Sequence, residues 1–266
     1  MPKKTAMLCA LLFSAFVCLG GAAPAQAAGN TTNDSFNKAK RMLERQVYAD
    51  HMVTIYCGYR YGADKKVEVP DSFSTPRFLK RAYRVEWEHS VPAENFGRAF
   101  AEWRDGDAQC VDRKGKPFKG RSCAEKVNQE YRFMQADMYN LFPAVGAVNA
   151  MRSNYNYAML PDMESTFGSC PMKVDEQNHR AEPPEAARGQ LARAALYMDD
   201  SYPRYNLSRQ QKQLFESWNR MYPVDQWECT RASRIEKLQG NVISLPTRDQ
   251  IDLDIQEQLI VELYSK

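Results

Sequence analysis

A sequence of 266 residues carries 36 basic and 33 acidic side chains, a formal net charge of only +3, so bulk charge does not announce a nucleic-acid partner. The length allows one large core or two small ones. Beyond the N-terminus no stretch stays apolar for the ~18 residues that a membrane span needs, which excludes that class for the body of the chain. Few candidate linkers interrupt the pattern, and a single domain is expected.

In chain order, the first segment is a targeting signal. Lys3 and Lys4 precede an apolar run from Met7 to Gly20, and Ala25-Gln26-Ala27 has the small-x-small form of a cleavage site. Residues 1–27 are therefore expected to be a secretory signal peptide, cut before Ala28, leaving a periplasmic or secreted protein with no membrane attachment. Export removes two lysines, so 34 basic residues face 33 acidic ones. The C-terminal stretch 249–266 holds Asp249, Asp252, Asp254, Glu257 and Glu262 against one lysine. We expect a domain over 28–248 followed by an acidic tail. The body before the tail keeps enough excess positive charge for a local basic face.

Five cysteines survive export: Cys57, Cys110, Cys123, Cys170 and Cys229. An oxidising compartment favours disulfides. Cys110 and Cys123 flank a loop rich in Lys, Gly and Pro and are the easiest pair to close. The odd thiol is free or pairs between chains. A zinc site finds no C-x-x-C or H-x-x-x-H spacing.

Phe36, Ala39, Leu43 and Val47 predict a helix over 35–50. A β-rich run follows over 53–61, broken by Gly58. Residues 70–76 read as a turn region. Alternation predicts a strand over 83–88, stopped by Pro92. Helices are expected over 93–103, 125–139 and 144–154, with a charged loop over 105–121. The last third is strongly helical: 184–200, then a segment capped by Ser208 with Gln211, then one opened by Asp225 with Glu228 and closed at Gly240. The chain reads as α+β, with helices around a small, mostly antiparallel sheet.

The chemistry concentrates at Val85-Glu86-Trp87-Glu88-His89-Ser90-Val91-Pro92. Glu88 adjoins His89 where a strand ends. Successive side chains of a strand point to opposite faces, so the two serve one site only if the strand stops or bends there. Of the three histidines, only His89 combines an adjoining carboxylate with an apolar strand leading into it. An imidazole suits a general base. Asn149, Arg152 and Ser153 share a helix face further on. A carboxylate and an amide oxygen can together hold a hard cation that keeps several waters.

Several longer motifs occur in order: Tyr56-Cys57-Gly58, the Arg84–Ala93 segment, Asn140-Leu141-Phe142-Pro143-Ala144-Val145-Gly146-Ala147-Val148-Asn149, Arg152-Ser153-Asn154-Tyr155-Asn156, Ala181-Glu182-Pro183-Pro184, and Trp218–Cys229. Together they resemble the bacterial endonuclease I family of periplasmic or secreted nucleases. The resemblance implies a ββα-metal (His-Me finger) nuclease core. In it His89 is the general base, and Glu88 and Asn149 ligate one Mg²⁺, a site that Ca²⁺ or Mn²⁺ can also enter. Arg121, with Arg113 as a rival, binds phosphate, and Asn140 orders the loop behind the histidine. DNA is the implied partner, RNA a further one, and the protein a monomer. Phosphate-directed cations give binding without sequence preference. The candidates are Arg81, Arg84, Arg152, Arg188 and Arg193, with Tyr155 or Tyr157 against sugar or base. One departure stands out. Gln135 occupies a position where the family commonly has a glutamate, which leaves Asp137 or metal-bound water to protonate the leaving group. An inactive nucleic-acid binder and a small-substrate phosphodiesterase are the rival readings.

Overall fold

A computed structural model describes residues 28–243. The expected signal peptide (1–27) and acidic tail (249–266) lie outside the described residues. Helix α1 (Phe36–Met42) is capped by the Ser35 hydroxyl, which accepts from Lys38 N at 3.3 Å, and runs into a π turn over Leu43–Val47. The expected strand over 53–61 is absent. Only single bridges form there (Val53 with Arg60, Tyr61 with Val67), because Cys57 is tied by a disulfide to Cys170 and the chain turns at Gly58.

Strand β1 is Val85–His89. The helix expected over 93–103 is two pieces, α2 (Ala93–Gly97) and α3 (Ala101–Arg104), separated where Phe100 is extended. The long helix expected over 125–139 is likewise divided into α4 (Arg121–Val127) and α5 (Gln129–Gln135). Asn128 causes the break. Its backbone is extended and its side chain caps the second piece, accepting from Tyr131 N at 2.8 Å.

Strand β2 (Leu141–Val145) replaces the start of a helix expected from residue 144. It pairs antiparallel with β1, setting Glu88 opposite Phe142 and His89 opposite Leu141. All five of its residues are buried, and an apolar run of that length reads equally as helix or strand. Helix α6 (Gly146–Arg152) follows without a loop. Strands β3 (Asn156–Tyr157), β4 (Lys173–Asp175) and β5 (Arg180–Glu182) form a second small sheet, with β5 in the middle, parallel to β3 and antiparallel to β4. Helices α7 (Glu185–Ser201), α8 (Arg209–Met221) and α9 (Gln226–Gln239) complete the fold, with the expected caps at Ser208 and Asp225 and a left-handed Gly240 at the end. The chain is thus α+β, as expected.

The core is built from Phe96, Phe100, Tyr131, Met134, Leu141, Phe142, Val148 and Leu191, all buried. The expected Cys110–Cys123 disulfide is formed, and Cys229 is an exposed free thiol. No helix among the described residues is long and apolar enough to cross a membrane.

Candidate active site

Strand β1 ends at His89, and both Glu88 and His89 border the cleft at that end. Ser90 N donates to Asn140 O at 2.9 Å. The Asn140 side chain clamps the next residue from both sides, accepting from Val91 N at 2.7 Å and donating to Val91 O at 3.0 Å. The strand therefore stops immediately after His89. Both line one cleft of about 800 Å³, together with Asn149, Arg81, Arg121 and Arg152. Asn140 itself is fully buried and does not line the cleft, so its part is to shape the end of β1.

His89 packs its ring against Phe36 and Phe96, and its Nε2 lies 2.9 Å from the backbone carbonyl of Gln135. A carbonyl oxygen only accepts, so Nε2 carries the proton and Nδ1 keeps its lone pair. Burial, reinforced by the Arg121 guanidinium, pushes the pKa down to about 3, and the ring is neutral at neutral pH.

The Glu88 carboxylate is held through one oxygen. Oε1 accepts from Tyr56 Oη at 2.8 Å and from Arg152 Nη1 at 2.7 Å. Oε2 takes no hydrogen bond among the described residues. Burial raises the carboxyl pKa, and the Arg152 charge opposes that rise. On α6, Asn149 donates its amide to Glu86 Oε2 at 3.3 Å, which leaves its carbonyl oxygen as the uncommitted end. One carboxylate oxygen and one amide oxygen thus remain available on the same cleft. Two hard oxygen donors and room for water suit Mg²⁺ better than zinc. No cluster of three or more His, Cys, Asp or Glu that could hold a metal occurs among the described residues.

Arg121 opens α4 and lines the cleft, whereas Arg113 does not. Arg81 lines it too, with its Nε donating to Glu86 Oε1 at 2.8 Å. Arg84 is mostly exposed and shares the same carboxylate at 2.9 Å.

The other expected nucleic-acid contacts require correction. Arg188 is buried and spends its guanidinium on Glu182 Oε1 at 2.6 Å, Pro183 O at 3.1 Å and Tyr222 Oη at 2.8 Å. Arg193 is buried against Glu228, with Nε 2.6 Å from Oε1 and Nη2 2.5 Å from Oε2. Neither can reach a phosphate without abandoning a buried charge. Arg152 borders the cleft but is 1% exposed, bonded to Glu88 and to the carbonyls of His89 and Ser90, and stacked on Tyr157 at 4.5 Å. Tyr157 is buried as well, its hydroxyl 2.6 Å from that of Tyr56. Tyr155 is partly exposed and stacks on His179 at 4.9 Å. Asp137 is also corrected as a proton donor. It is fully buried, and both its oxygens accept bonds, from Tyr197 and Tyr202 at 2.6 Å and from Gln239 at 2.9 Å.

Three cleft cations escaped the sequence reading: Lys40 and Arg41 on α1, and Lys65. In sequence Lys40 and Arg41 look like the solvated face of an amphipathic helix, and only the docking of α1 beside His89 brings them to the cleft.

The endonuclease I family profile matches residues 36–243, most of the chain. An extracellular deoxyribonuclease of Aeromonas hydrophila is 42% identical over 212 residues, 78% of this chain and 86% of its own length. A periplasmic deoxyribonuclease of the same organism is 40% identical, over 78% of this chain and 83% of its own. The chain belongs to the endonuclease I family. It is accordingly a nuclease, and a periplasmic or secreted protein. A match of another kind covers only 32 residues, 12% of the chain, at 66% identity to the small ribosomal subunit protein uS4A of Alkaliphilus oremlandii. A match that short says nothing of the fold.

Proposed function

We propose that the protein is a Mg²⁺-dependent endonuclease that hydrolyses DNA, and RNA as well, without sequence preference, through a ββα-metal centre made by β1, β2 and α6. One observation carries the reading. Glu88, His89, Arg121 and Asn149 line a single cleft, although 61 residues separate the first from the last. The deoxyribonuclease names of the relatives support DNA as the substrate.

In this reading His89 is the general base. Its Nε2 is pinned to the Gln135 carbonyl, which fixes the ring and directs Nδ1 to take a proton from the attacking water. Arg121 binds a non-bridging phosphate oxygen and offsets the charge that builds in the transition state. Glu88 and Asn149 would hold the metal ion, with Ca²⁺ or Mn²⁺ as substitutes. When bound, the ion polarises the phosphate and stabilises the leaving oxygen. Arg152 and Tyr56 hold the Glu88 carboxylate by one oxygen and so keep the other presented. Gln135 contributes its backbone, and its buried amide has no proton to give a leaving group. The cleft is complete within one chain, which fits a monomer.

The test is relaxation of supercoiled plasmid by the oxidised protein, with Mg²⁺ and with EDTA, beside Glu88→Ala. Cleavage that needs both metal and Glu88 supports the reading. Retained DNA binding with no cleavage by wild type would favour the inactive binder and make Gln135 its cause.

A further inference from the structure

One surface feature beside the cleft has no part in the chemistry above. The turn at 77–84 presents Phe78, Leu79 and Tyr83 to solvent at 42%, 67% and 64% exposure. Three large exposed apolar side chains on one short segment are more than the scattered exposure a soluble surface normally shows. Phe78 also sits at φ 60°, in the left-handed region where a bulky side chain is seldom found.

The turn is braced. Arg81 N donates to Phe78 O at 2.7 Å, and Thr75 Oγ1 donates to Arg77 O at 2.6 Å. Its far end leans on α6, the helix that carries Asn149. There Gly146 N donates to Arg84 O at 2.9 Å, and a Cβ at residue 146 would come within 2.7 Å of Arg81 O. The lack of a side chain at Gly146 is what lets the turn approach. The apolar tip is therefore fixed relative to the cleft.

Its surroundings are cationic. The guanidinium carbons of Arg77 and Arg81 each lie 5.5 Å from the centre of the Phe78 ring. Lys80 and Arg84 are exposed on the same segment. Two carboxylates, Glu86 and Glu176, pair with three of these four cations, so the segment keeps a positive excess. Arg81 belongs both to this segment and to the cleft wall.

We infer that Phe78 and Leu79 form a wedge that inserts against the bases of duplex DNA beside the scissile phosphate, with Arg77, Lys80, Arg81 and Arg84 seated on the flanking phosphates. An apolar tip ringed by cations matches the order of groups in a nucleic-acid groove, bases inside and phosphates at the rim. Unstacking a base step at the cleft would kink the duplex and bend the adjoining backbone toward His89. This deepens the proposed function and rests on it.

The test uses full-length mature protein in a His89→Ala background and a mixed-sequence duplex carrying 2-aminopurine at several positions. Phe78→Asn keeps the left-handed turn, which asparagine tolerates, and Leu79→Ser alters a residue that holds no core contact. The parent protein should raise 2-aminopurine fluorescence on binding. The double variant should lose that rise and bind about tenfold more weakly, as expected for lost base stacking, with an unchanged salt slope. With His89 restored, its cleavage of bis(p-nitrophenyl) phosphate should match wild type. Equal fluorescence and affinity in the two proteins would overturn the wedge while leaving the nuclease intact. Binding of anionic phosphatidylserine vesicles that depends on Phe78 and Leu79, with no duplex signal, would overturn it in favour of a membrane contact. Failure of wild type to cleave plasmid at all would instead remove the reading beneath it.

Discussion

Arg152 and Glu88 are 64 residues apart in sequence, yet Arg152 Nη1 donates to Glu88 Oε1 at 2.7 Å with both side chains buried. The pair joins the last residue of α6 to the strand that carries the proposed metal carboxylate. Breaking one side of a buried pair leaves an uncompensated charge and costs about 3–5 kcal/mol. Arg152→Met should therefore lower stability by that amount in urea unfolding. The Mg²⁺ concentration for half-maximal cleavage should rise as well, because Glu88 loses one of its two anchors and keeps only Tyr56. A stable variant with wild-type metal demand would show that the pair is incidental.

Arg188 and Arg193 make a contrasting prediction. Each is buried against a glutamate. Alanine at either position should cost several kcal/mol of stability and leave the salt dependence of DNA binding unchanged. Arg121→Ala should do the reverse. Folding should be nearly untouched, while the slope of log K against log salt falls by about 0.9, the value for one lost phosphate contact.

The two disulfides should differ in consequence. Cys57–Cys170 spans 113 residues and Cys110–Cys123 spans 13. On chain entropy the longer loop contributes about 4–5 kcal/mol and the shorter about 3. Serine replacement of the first pair should lower the thermal midpoint more. Replacement of the second should cost more activity at a temperature where both variants are folded, because Arg121 stands two residues before Cys123 on the same helix.

One ion pair supplies a pH test. Arg234 donates to both oxygens of Asp50, at 2.5 and 2.7 Å, and these bonds hold the Asp50 pKa at about 2 against an ordinary 3.8. A folded-state pKa below the unfolded value contributes stability above the unfolded pKa and loses it as pH falls through the folded one. The difference in thermal midpoint between wild type and Asp50→Asn should be constant above pH ~4 and shrink toward pH ~2. The exposed site keeps the whole effect small.

The α-helical last third was legible because its signals are local. Ser208 and Asp225 cap the helices that the sequence predicts, and Gly240 ends the last one. The middle was less so. Asn128 breaks a continuous helical pattern, and β2 is an apolar run whose strand geometry comes from pairing with β1. For the cleft, Glu88, His89 and Asn149 were readable from their residue types and from family motifs. Three of the arginines were not, since a chain records their charge but not their partner. Arg152, Arg188 and Arg193 have buried carboxylates as partners, while Lys40, Arg41 and Lys65 face the cleft.

The central claim is that His89 is the base of this cleft, and His89→Ala tests it most directly. Plasmid cleavage at saturating Mg²⁺ should be read beside duplex affinity for the same protein. Loss of a general base should slow cleavage by about 10²–10⁴-fold while affinity stays close to wild type. Cleavage at the wild-type rate would contradict the account.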